Sequence, residues 1–189
     1  LVAALGYFVD IYDLLLFGIV RTASLKSLGV TSPDEILKQG TLLLNMQMIG
    51  MLLGGVIWGI LGDKKGRLSV LFGSIFMYSV ANILNSFVQD VSQYAILRFI
   101  AGIGLAGELG AGITLVSEIM SKESRGYGTT IVASVGIMGA VVAAFVGKIF
   151  DWRTSYIIGG SLGMMLLLLR ISLFESGMFS QLKEEDVQK

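Results

Sequence analysis

Six long apolar runs alternate with short polar stretches along this chain. The runs cover roughly residues 1–23, 41–61, 69–88, 93–117, 129–150 and 155–174. Each is close to the ~20 residues that an α-helix needs to cross a bilayer. The pattern predicts six membrane-spanning helices joined by short loops. Residues 24–40 are more polar and hold Pro33, the single proline. They read as an external loop, with a helix-start signature at Thr31-Ser32-Pro33-Asp34-Glu35. Residues 175–189 are polar and charged and read as a cytoplasmic linker segment after the bundle of residues 1–174.

Composition agrees with this reading. Apolar residues make up 54% of the 189 positions and charged residues only 15%, against an apolar share of about 45–50% in soluble domains. Basic and acidic residues balance at 14 each, so there is no basic surface for nucleic acid. Cysteine and histidine are absent, which removes disulfides, thiol chemistry and the usual zinc ligands. No nucleophile–base pair or metal cluster points to an enzyme, and no cofactor is implied. The first residues are apolar and not Met, so the chain is expected to begin inside a helix with its natural N-terminus missing.

The chain hinges on Gly59-Ile60-Leu61-Gly62-Asp63-Lys64-Lys65-Gly66-Arg67. Glycines permit a tight hairpin between spans, and the cations mark the cytoplasmic side. Asp63 is placed to answer a cation or to cap the next helix. Lys64, Lys65, Arg67, Lys122, Arg125, Lys183 and Lys189 fall on that side, against Arg21, Lys26, Lys38, Lys148 and Arg153 on the other. Both chain ends are therefore expected in the cytoplasm, with the bundle in a plasma or inner membrane.

Charge inside the spans carries the candidate chemistry. Asp10 and Asp13 share one helical face in the first span, beside Tyr12. Arg98 and Glu108 lie in the fourth. Ionisable groups at membrane depth are costly and normally face a bundle interior or a water-filled cavity. Gly50/Gly54 and Gly55/Gly59 have the small-xxx-small spacing of close helix contacts. Asn45 and Gln47 are weaker candidates for substrate contact, interhelical hydrogen bonding being at least as good a reading. Asn82 and Asn85 lie three apart in the outer half of the third span. The fifth span holds Gly136 and Gly139 and no proline.

The 59–67 stretch resembles the loop between helices two and three of the major facilitator superfamily; Gly59, Asp63, Lys64, Gly66 and Arg67 match, while Leu68 departs from the final basic position. Arg98-x-x-x-Gly102 is similar to the start of that superfamily's fourth helix. Ala106-Gly107-Glu108-Leu109-Gly110, with Glu118 and Arg125-Gly126, looks like the metabolite:proton symporter pattern, with Ala106 in place of a glycine. The Glu118-to-Arg125 spacing also matches sugar porters. Phe8-x-Asp10-x-Tyr12-Asp13 resembles the first helix of phosphate:proton symporters. Glu175-Ser176 resembles a motif after helix six, without its prolines.

The resemblance implies an all-α membrane protein. The six transmembrane helices form one half, a three-plus-three inverted repeat, of a twelve-helix fold whose C-terminal half is absent from this chain. The chain is then a fragment, a partly observed protein or a half-size relative that dimerises, the first two being favoured. The implied function is secondary active transport: proton-coupled symport of a small polar metabolite by alternating access. Asp13 would carry the proton against Arg98, with Asp10 and Glu108 as relay or substrate-facing acids. Asp63, Arg67, Glu118 and Arg125 would form a cytoplasmic ion-pair gate. The implied partners are a small-molecule substrate, protons, the lipid bilayer and the missing half. An uncoupled facilitator, or a membrane receptor or scaffold on the same fold, are the alternatives. Three acids against one arginine lean away from a simple anion as substrate, unless the missing half supplies cations.

Overall fold

The computed structural model describes the backbone of residues 2–119 and 125–187, and the side chains of residues 4–66, 69–108 and 126–173. It contains six helices: α1 (Val2–Ser27), α2 (Pro33–Lys65), α3 (Arg67–Asn85), α4 (Val91–Ile119), α5 (Arg125–Ile149) and α6 (Trp152–Val187). Among the described residues, three helical segments meet the length and hydropathy of a membrane crossing: Pro33–Lys65, Gly126–Ile149 and Trp152–Leu173.

The helix boundaries correct the sequence reading in three places. The polar stretch 24–40 is mostly not a loop, because α2 starts at Pro33 with Asp34 and Glu35 in its first turn. Nothing between Glu35 and the apolar run breaks a helix, so the start signal and the span join into one element. The hairpin at 59–67 contracts to a single residue, Gly66, at φ 85°. Glycine adopts that backbone without a Cβ clash, and its N–H closes α2 on the Gly62 carbonyl at 3.0 Å. Asp63 therefore lies exposed in the last turn of α2 and does not cap α3, whose start has no side-chain cap. Finally, α6 continues as helix through the charged segment to Val187.

Which helices touch follows a rule. Exchanging α1 with α4, α2 with α5 and α3 with α6 maps the set of helix contacts onto itself. Contact α1–α5 maps onto α4–α2, α3–α4 onto α6–α1, and α2–α3 onto α5–α6; α1–α4 and α3–α6 map onto themselves. That exchange symmetry is what a three-plus-three repeat requires. It puts α1 and α4 together in the middle and leaves α2 and α5 apart.

Glycine makes the close crossings. A Cβ on Gly50 would run into the Phe99 carbonyl, one on Gly54 into the Ile103 backbone, and one on Gly102 into the Gln47 carbonyl. These residues bring α2 and α4 into backbone contact, where dispersion replaces the hydrophobic drive that lipid does not supply. Gly55 and Gly59, the other pair with this spacing, meet nothing among the described residues. On the repeat-related crossing, Gly136 and Gly139 of α5 sit against Tyr7 and Phe8 of α1.

Two apolar clusters fill the bundle. One gathers Tyr12, Leu16, Phe17, Tyr94, Trp152 and Tyr156; the other gathers Val9, Ile75, Tyr78, Leu105, Leu166 and Leu167. Large apolar side chains also cover the outside: Leu52, Val56 and Ile60 on α2, and Ile137, Val141 and Phe145 on α5. Such a surface suits lipid or another helical bundle, not water.

The turns at the end opposite Gly66 are capped. Asp90 Oδ1 accepts from the Gln93 N–H at 2.8 Å, while Gln93 Oε1 accepts from the Gln89 N–H at 3.0 Å. Asp151 accepts from the Arg153 and Thr154 N–H groups at 3.1 and 3.3 Å and from the Thr154 hydroxyl at 2.5 Å. The Arg153 guanidinium stacks on Trp152 and donates to the Ser86 and Val88 carbonyls, tying the start of α6 to the end of α3.

The Thr154 hydroxyl bond, and then the backbone bonds, hold the exposed Asp151 carboxyl below its ordinary range. Its contribution to stability is therefore present above the unfolded-state value and lost as pH falls through the lower folded value. We expect Asp151→Ala to cost about 1 kcal/mol, typical of a lost N-cap. Thermal melts of the wild type and the variant should converge as pH falls below that range. An equal difference at every pH would count against the cap.

Candidate functional site

The central contact between α1 and α4 holds the charges. Asp13 and Arg98 are buried, at 1% and 0% exposure. Arg98 Nη1 lies 3.6 Å from Asp13 Oδ1. Gln47 of α2 bridges them: its Nε2 donates to Asp13 Oδ2 at 3.4 Å, and its Oε1 accepts from Arg98 Nη2. The amide is thus held in one orientation by a partner of each sign. Gln47 can reach both because the Gly102 crossing brings its own backbone against α4.

An aromatic wall surrounds the guanidinium. The Phe17 ring centroid lies 4.7 Å from Arg98 Cζ and that of Tyr156 5.7 Å away. The Tyr156 and Tyr94 hydroxyls share a hydrogen bond of 2.6 Å. Cation–π attraction strengthens once water is excluded, so Arg98 keeps favourable contacts even if Asp13 releases it. A charge pair with a fallback environment for the cation can toggle; one without it would be locked.

A second charge cluster lies on the same helices. Glu108 of α4 and Arg170 of α6 form a fork, Nη1 to Oε2 at 2.9 Å and Nη2 to Oε1 at 2.5 Å. Both are buried, and Asp10 is within electrostatic reach of both and of Asp13. A Cβ on Gly6 would collide with Glu108 and Arg170, so the missing side chain is the room the pair occupies.

Arg170 is absent from the sequence-derived candidates, and it changes their charge count. Among the described residues the buried set is Asp10, Asp13 and Glu108 against Arg98 and Arg170, not three acids against one cation. The signal was available, since Arg170 is an arginine inside an apolar run and falls under the same rule that picked out Arg98. Its partner is 62 residues away in sequence, so no local motif joins them.

The remaining candidates are placed as follows. Tyr12 is fully buried and its hydroxyl donates to the Ser155 carbonyl at 3.0 Å, which commits it to the α1–α6 contact. Asn45 is exposed on the surface of α2, away from the charges. Gln47, by contrast, sits inside the Asp13–Arg98 pair. Asp63 is exposed at the Gly66 end. The side chains of Arg67, Glu118 and Arg125 lie outside the described residues.

The sequence profile of the Major Facilitator Superfamily matches residues 3–185. The chain belongs to that superfamily. Among superfamily relatives, a Haemophilus influenzae protein named for metabolite transport is 33% identical, over 95% of this chain and 44% of its own length. The benzoate transport protein of Acinetobacter baylyi is 28% identical, over 94% of this chain and 39% of its own. The Escherichia coli sialic acid transporter NanX is also 28% identical, over 97% and 45%. The chain thus spans under half the length of these relatives. In structure it resembles the superfamily's proton:xylose symporter XylE, with TM-score 0.78, 17% identity, and coverage of 90% of this chain and 43% of that one. At that identity the likeness shows the fold alone.

Proposed function

We propose that the chain is the N-terminal six-helix half (residues 1–174, with 175–189 as a linker) of a proton-coupled symporter for a small polar metabolite. The observation that carries this reading is the buried Asp13–Gln47–Arg98 unit. A carboxylate that meets its counter-charge in a buried site exists in two alternatives. It is ionised and paired, or protonated with the arginine released to the aromatic wall. Protonation thereby changes which contacts cross between α1 and α4, the central helices of the two repeats. That is the differential interaction a two-state transporter needs.

Among metabolites, organic acids are favoured. Benzoate and sialic acid, named for two relatives, both carry a carboxylate. With Arg170, the buried cations among the described residues are two, Arg98 and Arg170, against three acids, which narrows the charge objection to an anion. The half-site on this chain would be completed by a second six-helix bundle, packed where α2 and α5 expose their apolar faces. The Gly66 end would face the cytoplasm, and Asp63, Arg67, Glu118 and Arg125 would form a gate there.

The test is substrate-dependent proton movement by the full-length transporter in proteoliposomes, screened across benzoate, sialic acid, sugars and phosphate. Alkalinisation of the outer medium on adding one of the acids is expected. Uptake of any of these with no pH signal would favour an uncoupled facilitator instead.

A further inference from the structure

The α3 face that carries Ser79, Asn82 and Asn85 is buried, and the mechanism above does not use it. All three side chains are fully inaccessible. Ser79 Oγ and both amide atoms of Asn82 and of Asn85 have no hydrogen-bond partner among the described residues. Leaving a buried amide without partners costs the full desolvation of its polar atoms, and native proteins rarely leave several such groups in one place. The group is not scattered. Asn82 lies beside Asp13 and Tyr78, though neither amide atom makes a bond of good geometry with them. Asp13 Oδ1 and Arg98 Nε and Nη1 are likewise without hydrogen bonds. Donors and acceptors therefore run from Arg98 and Asp13 to Asn82 and on to Asn85, the last residue of α3 before the Ser86 turn. Internal water binds where two to four such groups converge.

We propose that Asn82 and Asn85 hold a short file of ordered water molecules that connects Asp13 to the Ser86 end of the bundle. The file is a proton path through this half of the transporter, separate from the substrate route between halves. Asparagine suits the task because each amide both donates and accepts while remaining neutral, so it anchors water without competing for the proton. The charged and titratable groups around the path are Asp10, Asp13 and Tyr12 on α1, Tyr78 on α3, Arg98 and Tyr94 on α4, Tyr156 on α6 and, at the Ser86 carbonyl, Arg153 of α6. Asp13 has Asn82 as a neighbour. The step is a proton handed along water to a carboxylate oxygen of Asp13, with Arg98 released; no other bond changes. This inference rests on the coupling reading above, with the Ser86 end outermost.

Two measurements on the full-length transporter test it. The first is hydroxyl-radical footprinting, in which radicals made from bound water modify adjacent side chains. Tyr78, at 3% exposure, should be labelled in the wild type and protected in Asn82→Leu. An unlabelled Tyr78 in the wild type overturns the water file, whatever the transporter's coupling proves to be. The second compares proton-driven uptake with substrate counterflow, which needs no net proton movement. Asn82→Leu and Asn85→Leu should lower driven uptake severalfold and leave counterflow within about twofold, and Asn85→Ser, which still binds water, should restore most of it. Labelled Tyr78 with normal driven uptake in both leucine variants overturns the path. If Asp13→Asn also leaves driven uptake intact, it is the coupling reading that has failed.

Discussion

Asp13→Asn in the full-length transporter is expected to abolish the response of substrate uptake to a pH gradient while sparing substrate exchange. Asparagine keeps the shape and can still meet Gln47 and Arg98, but it cannot gain or lose a proton. The linkage between proton and substrate is then lost, and coupling free energies of this kind correspond to changes of about 5- to 150-fold. Uptake driven by an inward proton gradient should fall into that range below wild type; counterflow should not. The companion change, Gln47→Leu, removes the amide that bridges Asp13 to Arg98 and leaves their direct 3.6 Å contact, so it should shift the pH dependence of uptake without removing it. Wild-type driven uptake in Asp13→Asn would make the pair a structural one and return the fold to an uncoupled facilitator.

Arg170→Met is expected to be the most destabilising single change in the described bundle. It leaves Glu108 and Asp10 buried side by side with their nearest cation gone. Removing one partner of a buried, well-formed ion pair costs about 3–5 kcal/mol. Glu108→Gln should cost less, because Asp10 remains near Arg170 to answer its charge. The double variant, Arg170→Met with Glu108→Gln, should recover part of the loss, since groups in contact do not add. Thermal unfolding of the four proteins in one detergent measures this. If Arg170→Met costs no more than an exposed ion pair, up to about 1 kcal/mol, the fork does not hold α4 to α6. The two clusters would then differ in kind. Asp13–Arg98 is loose, with its contact at 3.6 Å and an aromatic refuge for the cation. Glu108–Arg170 is tight, with two bonds and a glycine cut to fit. A loose pair suits a switch and a tight one a brace.

Much of this was legible in the chain itself. The six apolar runs correspond to the six helices, three of which, among the described residues, have the length and hydropathy of a span that satisfies every N–H within itself. The rule that charge inside a span needs a partner named Asp10, Asp13, Arg98 and Glu108 without any structure. The Gly50/Gly54 spacing marked a real crossing. The identical Gly55/Gly59 spacing marked nothing within the described residues, because spacing states that a face is smooth and not what lies against it.

The partners were decided only in three dimensions. Gln47 read as either a substrate contact or an interhelical hydrogen-bonding residue, and only the structure shows it bridging Asp13 and Arg98, 34 and 51 positions away. Arg170 acquires meaning only beside Glu108. The unpaired state of Asn82 and Asn85 is invisible in a sequence, where any asparagine has potential partners. The physical reason is common to all three. Helix formation and insertion depend on each segment's own composition, so sequence determines them locally. Pairing of charges and amides depends on which faces six helices turn to one another, and backbone contacts at a few glycines fix those rotations.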